Sequence, residues 1–432
     1  MNHPPHHPPH HPRDDVACDE YRHVSRRRFL ELGSMSAASV TLPSWLPSVQ
    51  FAESEDGVRD VLVSVFLRGG ADGLTLVAPY ADPTYYRLRP TLAIPRPDSS
   101  SPNRGLALGT FFMLPPTMAP LMAPYLSGEL LAVHACGQSA TKSRSHFEAE
   151  RYLEQGKPED YTIQSGWLAR HLATSAPVDA AAPMRATSIT YGMPRTLAGA
   201  PKSLPVPRPA SFGVTSPNRA ALQRLYNGAW TPMRDSAIDG LATVTLLNKL
   251  DFNSYRPANG ATYRNDNLGQ ALRAIATMIK GDIGLEAAHV DANGWDTHAN
   301  QGSIGGVLAD NMTEFSSALG AFWQDIMQGP SNYRVTLIAT TEFGRNAREN
   351  GSLGTDHGRA SVMFLMGKSI AGGQVITQWP GLEREQLEDG QDLKVTIDMR
   401  DVLAEVVQNR LNNRNLSAIF PDYTPRFRGV TK

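Results

Sequence analysis

The sequence predicts an α/β fold: a three-layer sandwich with a mostly parallel central sheet. Three observations lead there. Val61-Leu62-Val63-Ser64-Val65-Phe66-Leu67 is a near-continuous apolar run closed by Arg68-Gly69-Gly70, the pattern of a strand buried on both faces, as in parallel sheets. Further short apolar runs follow at 130–134, 186–190, 284–290, 334–340 and 361–365. Helical periodicities lie between them, and strands alternating with helices build sheets of this kind.

Taken in order, residues 79–120 are rich in proline, with a Ser-Ser-Ser-Pro-Asn turn at 99–103, and residues 192–235 are rich in Pro, Arg, Ser and Asn. Both read as surface insertions or caps over one edge of the sheet. Helices are expected over 237–250 and 269–280. The clearest helix places Leu308, Met312, Phe315, Leu319, Phe322 and Ile326 on one face at alternating spacings of four and three. The last runs over 399–411, with Val402, Leu403, Val406 and Val407 inward. No internal repeat interrupts the series.

The first fifty residues have a different character. Ser25-Arg26-Arg27-Arg28-Phe29-Leu30 fits the twin-arginine (Tat) export pattern, and a weakly apolar run from Leu32 to Ala52 follows it. Gly33, several serines, Pro43 and Pro47 make that run too polar and too short for a stable membrane span, so it reads as an export signal and not an anchor. Residues 1–52 are therefore expected to be a signal region, with 53–432 as a single domain. The Tat machinery is the expected partner, and the periplasm or another extracytoplasmic space the destination. Export by this route moves folded proteins, often with a cofactor already inserted. The His/Pro-rich stretch from Met1 to His23 cannot pack a core and is expected to be disordered.

Bulk composition is that of a globular protein, 41% hydrophobic and 19% charged, and a net charge of −1 excludes an electrostatic nucleic-acid binder. Of the two cysteines, Cys18 leaves with the signal, and Cys136 has no partner for an internal disulfide and reads as a small buried residue.

Polar residues collect behind the strands, where ligands sit in open α/β sheets. After the first strand comes Arg68-Gly69-Gly70-Ala71-Asp72-Gly73; after the second, His134, Cys136 and then Ser143-Arg144-Ser145-His146. After the strand at 284–290 comes Asp291-Ala292-Asn293-Gly294-Trp295-Asp296-Thr297-His298. After the strand at 334–340 come Glu342-Phe343-Gly344-Arg345 and Gly354-Thr355-Asp356-His357-Gly358. Four of the six histidines beyond the signal, His134, His146, His298 and His357, fall in these segments. Imidazole with carboxylate suits zinc, manganese or iron, and carboxylates alone suit magnesium or calcium. Glycines beside them let backbone approach an ion. Ser145 stands at a helix start, as a nucleophile near free amides or as a plain N-cap. Arg68, Arg144 and Arg345 are oxyanion clamps or structural ion-pair partners.

The chain resembles an exported bacterial family called domain of unknown function 1501, within the alkaline phosphatase–sulfatase superfamily. The resemblance rests on Phe66-Leu67-Arg68-Gly69-Gly70-Ala71-Asp72-Gly73-Leu74, Ser143-Arg144-Ser145-His146-Phe147, Gly294-Trp295-Asp296-Thr297-His298, Thr341-Glu342-Phe343-Gly344-Arg345 and Gly354-Thr355-Asp356-His357-Gly358. It implies an alkaline-phosphatase-like fold and a two-metal site hydrolysing phosphate or sulfate esters. On that pattern Asp72, Asp296, His298, Asp356 and His357 bind metal, Ser145 or Ser143 is the nucleophile, and Arg144 or Arg345 clamps the oxyanion. The divalent ions would be zinc, manganese, calcium or magnesium. Two departures stand out. No histidine follows His357, and one residue separates Asp296 from His298 where the superfamily has three. Either His146 or Asp291 completes the second metal position, or one ion binds, or the fold is kept without hydrolysis. The sulfatase-type Cys-x-Pro-x-Arg signature and a G-x-G-x-x-G fingerprint are both missing. The alternative function is a non-catalytic periplasmic binding or cell-envelope protein, partnered by another exported cell-envelope protein.

Overall fold

The computed structural model describes residues 60–213, 216–328 and 333–432, so the expected export region lies outside the described residues. Eleven strands occur among them: β1 Val61–Leu67, β2 Leu106–Leu108, β3 Phe112–Leu114, β4 Leu130–Gly137, β5 Ala186–Ser188, β6 Ser203–Pro205, β7 Ala287–Ala292, β8 Val335–Thr340, β9 Ser361–Met366, β10 Gln374–Ile376 and β11 Ile397–Asp398. Nine form one sheet in the order β10-β4-β9-β8-β1-β7-β5-β6, with β11 paired to β4. The six strands expected from the apolar runs all form.

β1 lies at the centre, parallel to both neighbours; Val63 stands opposite Ala288 on one side and Leu337 on the other. Its side chains alternate between two cores, as a strand buried on both faces must. Val63, Val65 and Leu67 pack with Leu272 and Ile275 of helix Asn267–Lys280 and with Met312, Phe315 and Leu319 of helix Val307–Phe322. Leu62 and Phe66 pack with Leu168 and Leu172 of helix Trp167–Ala173 and with Val402, Leu403 and Val406 of helix Met399–Asn409. Helices on both faces of the sheet make the three-layer α/β sandwich. Among the described residues, three helix starts are fixed by aspartates: Asp82 accepts from the Thr84 amide, Asp266 from the Gly269 amide and Asp398 from the Arg400 amide.

Strand direction decides where the loops gather. β9 runs antiparallel to β4 and β8. Its leading end at Ser361 therefore meets the carboxyl ends of β1, β4, β7 and β8. The segments after Leu67, Gly137, Ala292 and Thr340, and the one before Ser361, share a single edge of the sheet.

Both expected insertions turn out to be more than surface caps. Within 79–120, β2 and β3 form a two-stranded antiparallel sheet, and Leu108, Phe112, Leu114 and Met118 join the core under β1. Their apolar side chains need burial, each worth about 1.5–3 kcal/mol, and the sandwich supplies it. Within 192–235, β6 extends the sheet edge beside β5. No helix of the described residues is long and apolar enough to cross a membrane.

Candidate metal centre

Four side chains from three of these segments converge. His146 begins helix His146–Gln155 after β4, Asp296 and His298 follow β7, and His357 precedes β9. The Nε2 atom of His357 lies 3.1 Å from that of His146 and 2.9 Å from that of His298. Asp296 Oδ1 is 3.0 Å from His298 Nε2 and 3.2 Å from His357 Nε2, and its Oδ2 is 3.5 Å from His146 Nε2. Ligand bonds of about 2.0–2.1 Å at tetrahedral angles would hold ligand atoms about 3.3–3.4 Å apart. The observed separations bracket that spacing.

Proton bookkeeping points the same way. Each imidazole turns its other nitrogen to an acceptor: His146 Nδ1 to Glu342 Oε1 at 2.7 Å, His357 Nδ1 to the Arg144 carbonyl at 2.8 Å, His298 Nδ1 to Asp356 Oδ1 at 3.2 Å. These acceptors hold the rings with their Nε2 atoms turned toward one another and toward Asp296, the arrangement in which neutral imidazoles could offer their lone pairs to a cation. Outer carboxylate and carbonyl partners on ligand histidines are how metal sites fix ring orientation.

Burial and charge shape the site further. Burial alone would lower His146, but hydrogen bonds to Asp296 and Glu342 outweigh it and push the ring up to about 9. Burial would raise Asp296; hydrogen bonds from the three histidines and the charge of Arg345 hold it far below the usual carboxylate range. His146 is 1% exposed, while His298 is 24% and Asp356 54% exposed. Solvent therefore reaches the centre from the His298–Asp356 side.

Two glycines make the convergence possible. Gly69 has φ +118°, and a Cβ there would lie 2.5 Å from the Asp296 amide nitrogen. A Cβ on Gly354 would lie 2.2 Å from the His298 carbonyl carbon. Any larger residue would push these loops apart.

The remaining candidates take other positions. Asp356 reaches the centre only through His298, and Asn350 also donates to it at 2.9 Å. Asp72 is not in the group. It forms a fully buried two-pronged pair with Arg89, backed by Thr75 and Gln301. Asp291, the alternative to His146, is engaged by Arg68 and His289. Arg345 is no oxyanion clamp: it is wholly enclosed, and its N–H groups go to the carbonyls of Gly69, Gly70, Trp295 and Thr355 and to Asp296. It ties the segments after β1, β7 and β8 together. Arg144 pairs with buried Asp392 while its carbonyl positions His357. Ser145 is the N-cap of helix His146–Gln155, but its side chain makes no capping hydrogen bond. Ser143 donates to Glu148 at 2.7 Å. His134 is a core residue, stacked on Phe112 and bonded to the Val77 carbonyl, with burial pulling it down to about 4. Burial pushes the Cys136 thiol up, leaving it inert.

Glu342 is the functional residue that the pattern of the sequence left without a role. It orients His146 and accepts from the Gly69 amide at 2.9 Å. Its signal was a carboxylate two residues behind a wholly buried strand, where only a fully bonded charge is tolerated. Glu150 comes close to His146 and Glu342 as a second candidate ligand group. Burial, with Glu342 and Glu154 nearby and Arg68 opposing, pushes its carboxyl up to about 7.

Residues 138–415 match the family described as "Protein of unknown function (DUF1501)", well over half of the chain, and the chain belongs to that family. No curated protein matches it. Among solved structures, the alkaline phosphatase of the Antarctic bacterium TAB5 is similar at 11% identity and a TM-score of 0.30, over 74% of this chain and 95% of that one. A single-residue mutant of the same enzyme, with magnesium bound in a site called M3, is similar at 12% identity and a TM-score of 0.27, over the same shares.

Proposed function

We propose that this member of the DUF1501 family is a metal-dependent hydrolase of phosphate or sulfate esters that acts outside the cytoplasm. One observation carries the reading: ligand atoms of His146, Asp296 and His357 lie within 4.8 Å of one another, with His298 against His357 and Asp296, and each imidazole is held from behind by an acceptor. His146, His298, His357 and Asp296 would hold a divalent ion. Bound there, it supplies Lewis acidity toward an ester oxygen and eases deprotonation of a neighbouring hydroxyl.

The chain's own groups supply the rest. Ser145 directly precedes ligand His146, and its hydroxyl is not spent on capping its helix. That frees its hydroxyl to displace the ester's alcohol at phosphorus or sulfur, its proton leaving with that alcohol, and water then hydrolyses the seryl ester to release phosphate or sulfate; the first-turn amides face the developing negative charge. Glu342 and Asp356 hold the ligand rings in register, and Arg345 locks the three loops that carry them. Export through the twin-arginine route fits a centre filled during folding.

The test is turnover of p-nitrophenyl phosphate and p-nitrophenyl sulfate by metal-loaded protein. Release of p-nitrophenol that drops to background in Ser145→Ala and in His357→Ala is the expected result. Tightly bound metal with no turnover of either ester would instead favour a binding role in the cell envelope.

A further inference from the structure

A cleft of about 760 Å³ opens beside the centre, and Asp356 and Asn350 form part of its wall. The same Asp356 oxygen that accepts from Asn350 faces His298 Nδ1 at 3.2 Å, so the cleft and the candidate metal ligands share a partition one side chain thick. The cleft lies on the side from which solvent reaches the centre.

Its charges are unequally spoken for. The wall carries Arg87, Arg348 and Arg384, and the carboxylates Glu349, Glu383 and Asp356. Each carboxylate is occupied. Glu349 accepts from the Thr91 and Leu92 amides, Glu383 from Arg87 and Thr84, and Asp356 from Asn350 and faces His298. Arg348 and Arg384 form no ion pair among the described residues. Two free guanidiniums thus face a cleft large enough for a sugar, next to a centre suited to an ester. Guanidinium forks recognise carboxylate, phosphate and sulfate oxygens.

We infer that the substrate carries a second anionic group apart from the scissile ester, and that Arg348 and Arg384 bind it. The substrate class is then an acidic, multiply charged ester such as a phosphorylated or sulfated sugar, and not a simple monoester. This rests on the hydrolase reading. Arg348 and Arg384 are specificity residues: they touch no candidate metal ligand, so their loss spares metal content and binding of a singly substituted ester.

The experiment is calorimetric titration of metal-loaded protein with glucose 1-phosphate and with glucose 1,6-bisphosphate, alongside elemental analysis. Wild-type protein should bind the bisphosphate about tenfold or more tightly. The double variant Arg348→Gln/Arg384→Gln should lose that preference while keeping its metal and its affinity for the monophosphate. Both side chains are exposed, so the variant retains the fold. Retained metal with equal affinity for both sugars in wild type, or a preference that survives the double variant, overturns the inference alone. Wild-type protein without metal overturns the hydrolase reading and the inference with it.

Discussion

Asp72 and Asp296 both follow a buried strand within a glycine-rich turn, yet the fold uses them oppositely. Asp72 is closed off: Arg89, 0% exposed, grips both its oxygens, and Thr75 and Gln301 satisfy what is left. Asp296 is paired with buried Arg345 at 2.6 Å and also meets three imidazoles, and its site stays partly open, with His298 24% exposed. The first corner is closed by its own partners; the second gathers imidazole and carboxylate atoms that could serve a cation. Position behind a strand therefore marks a candidate, and the side chains that meet there decide its role.

The largest way to break this comparison is Asp72→Ala. It strands a buried guanidinium, which costs about 3–5 kcal/mol. A large fall in the urea midpoint with metal content intact is expected; an unchanged midpoint with lost metal would move Asp72 into the metal centre. Next comes Glu342→Gln, which weakens the acceptor behind His146. Metal affinity should fall about 10–100-fold, as when outer partners of ligand histidines are altered. Competition with a chelator measures this, and unchanged affinity would show that His146 is not a ligand.

The acid limb of stability sharpens the contrast further. Burial opposes ionisation of Asp72, but Arg89 outweighs it and holds the carboxyl below its ordinary 3.8. A depressed carboxyl contributes stability above its unfolded pKa and loses it as pH falls through the folded value. Below about pH 4, Asp72→Asn should therefore lose less stability per pH unit than wild type; parallel curves would remove Arg89 as the cause. The smallest expected effect is Ser145→Ala. An N-cap serine that bonds its helix is worth about 1 kcal/mol, but Ser145 makes no such bond. Its stability should stay within about 0.5 kcal/mol of wild type by thermal unfolding, and a loss of 1 kcal/mol or more would return it to a capping role.

Much of this was legible in the residues. The apolar runs located all the long strands, and three of the four post-strand histidines meet Asp296 in the candidate centre, while the fourth, His134, is core. What escaped depended on contacts distant in sequence. Asp72 meets Arg89 only because a short helix, Pro83–Leu88, turns the chain back. Arg345 resembles an anion clamp until the loops close over it. β2 and β3 are three residues each, too short for a period to show, and only packing under β1 makes them core. The direction of β9 fixes which edge receives His357, and an apolar run carries no direction of its own.

The most direct measurement is elemental analysis of untagged protein produced without residues 1–52, beside His357→Ala. About one equivalent or more of a transition metal in wild type, lost in the variant while the fold persists by circular dichroism, is the expected result. A well-folded wild-type protein containing no metal would contradict a cation-binding centre.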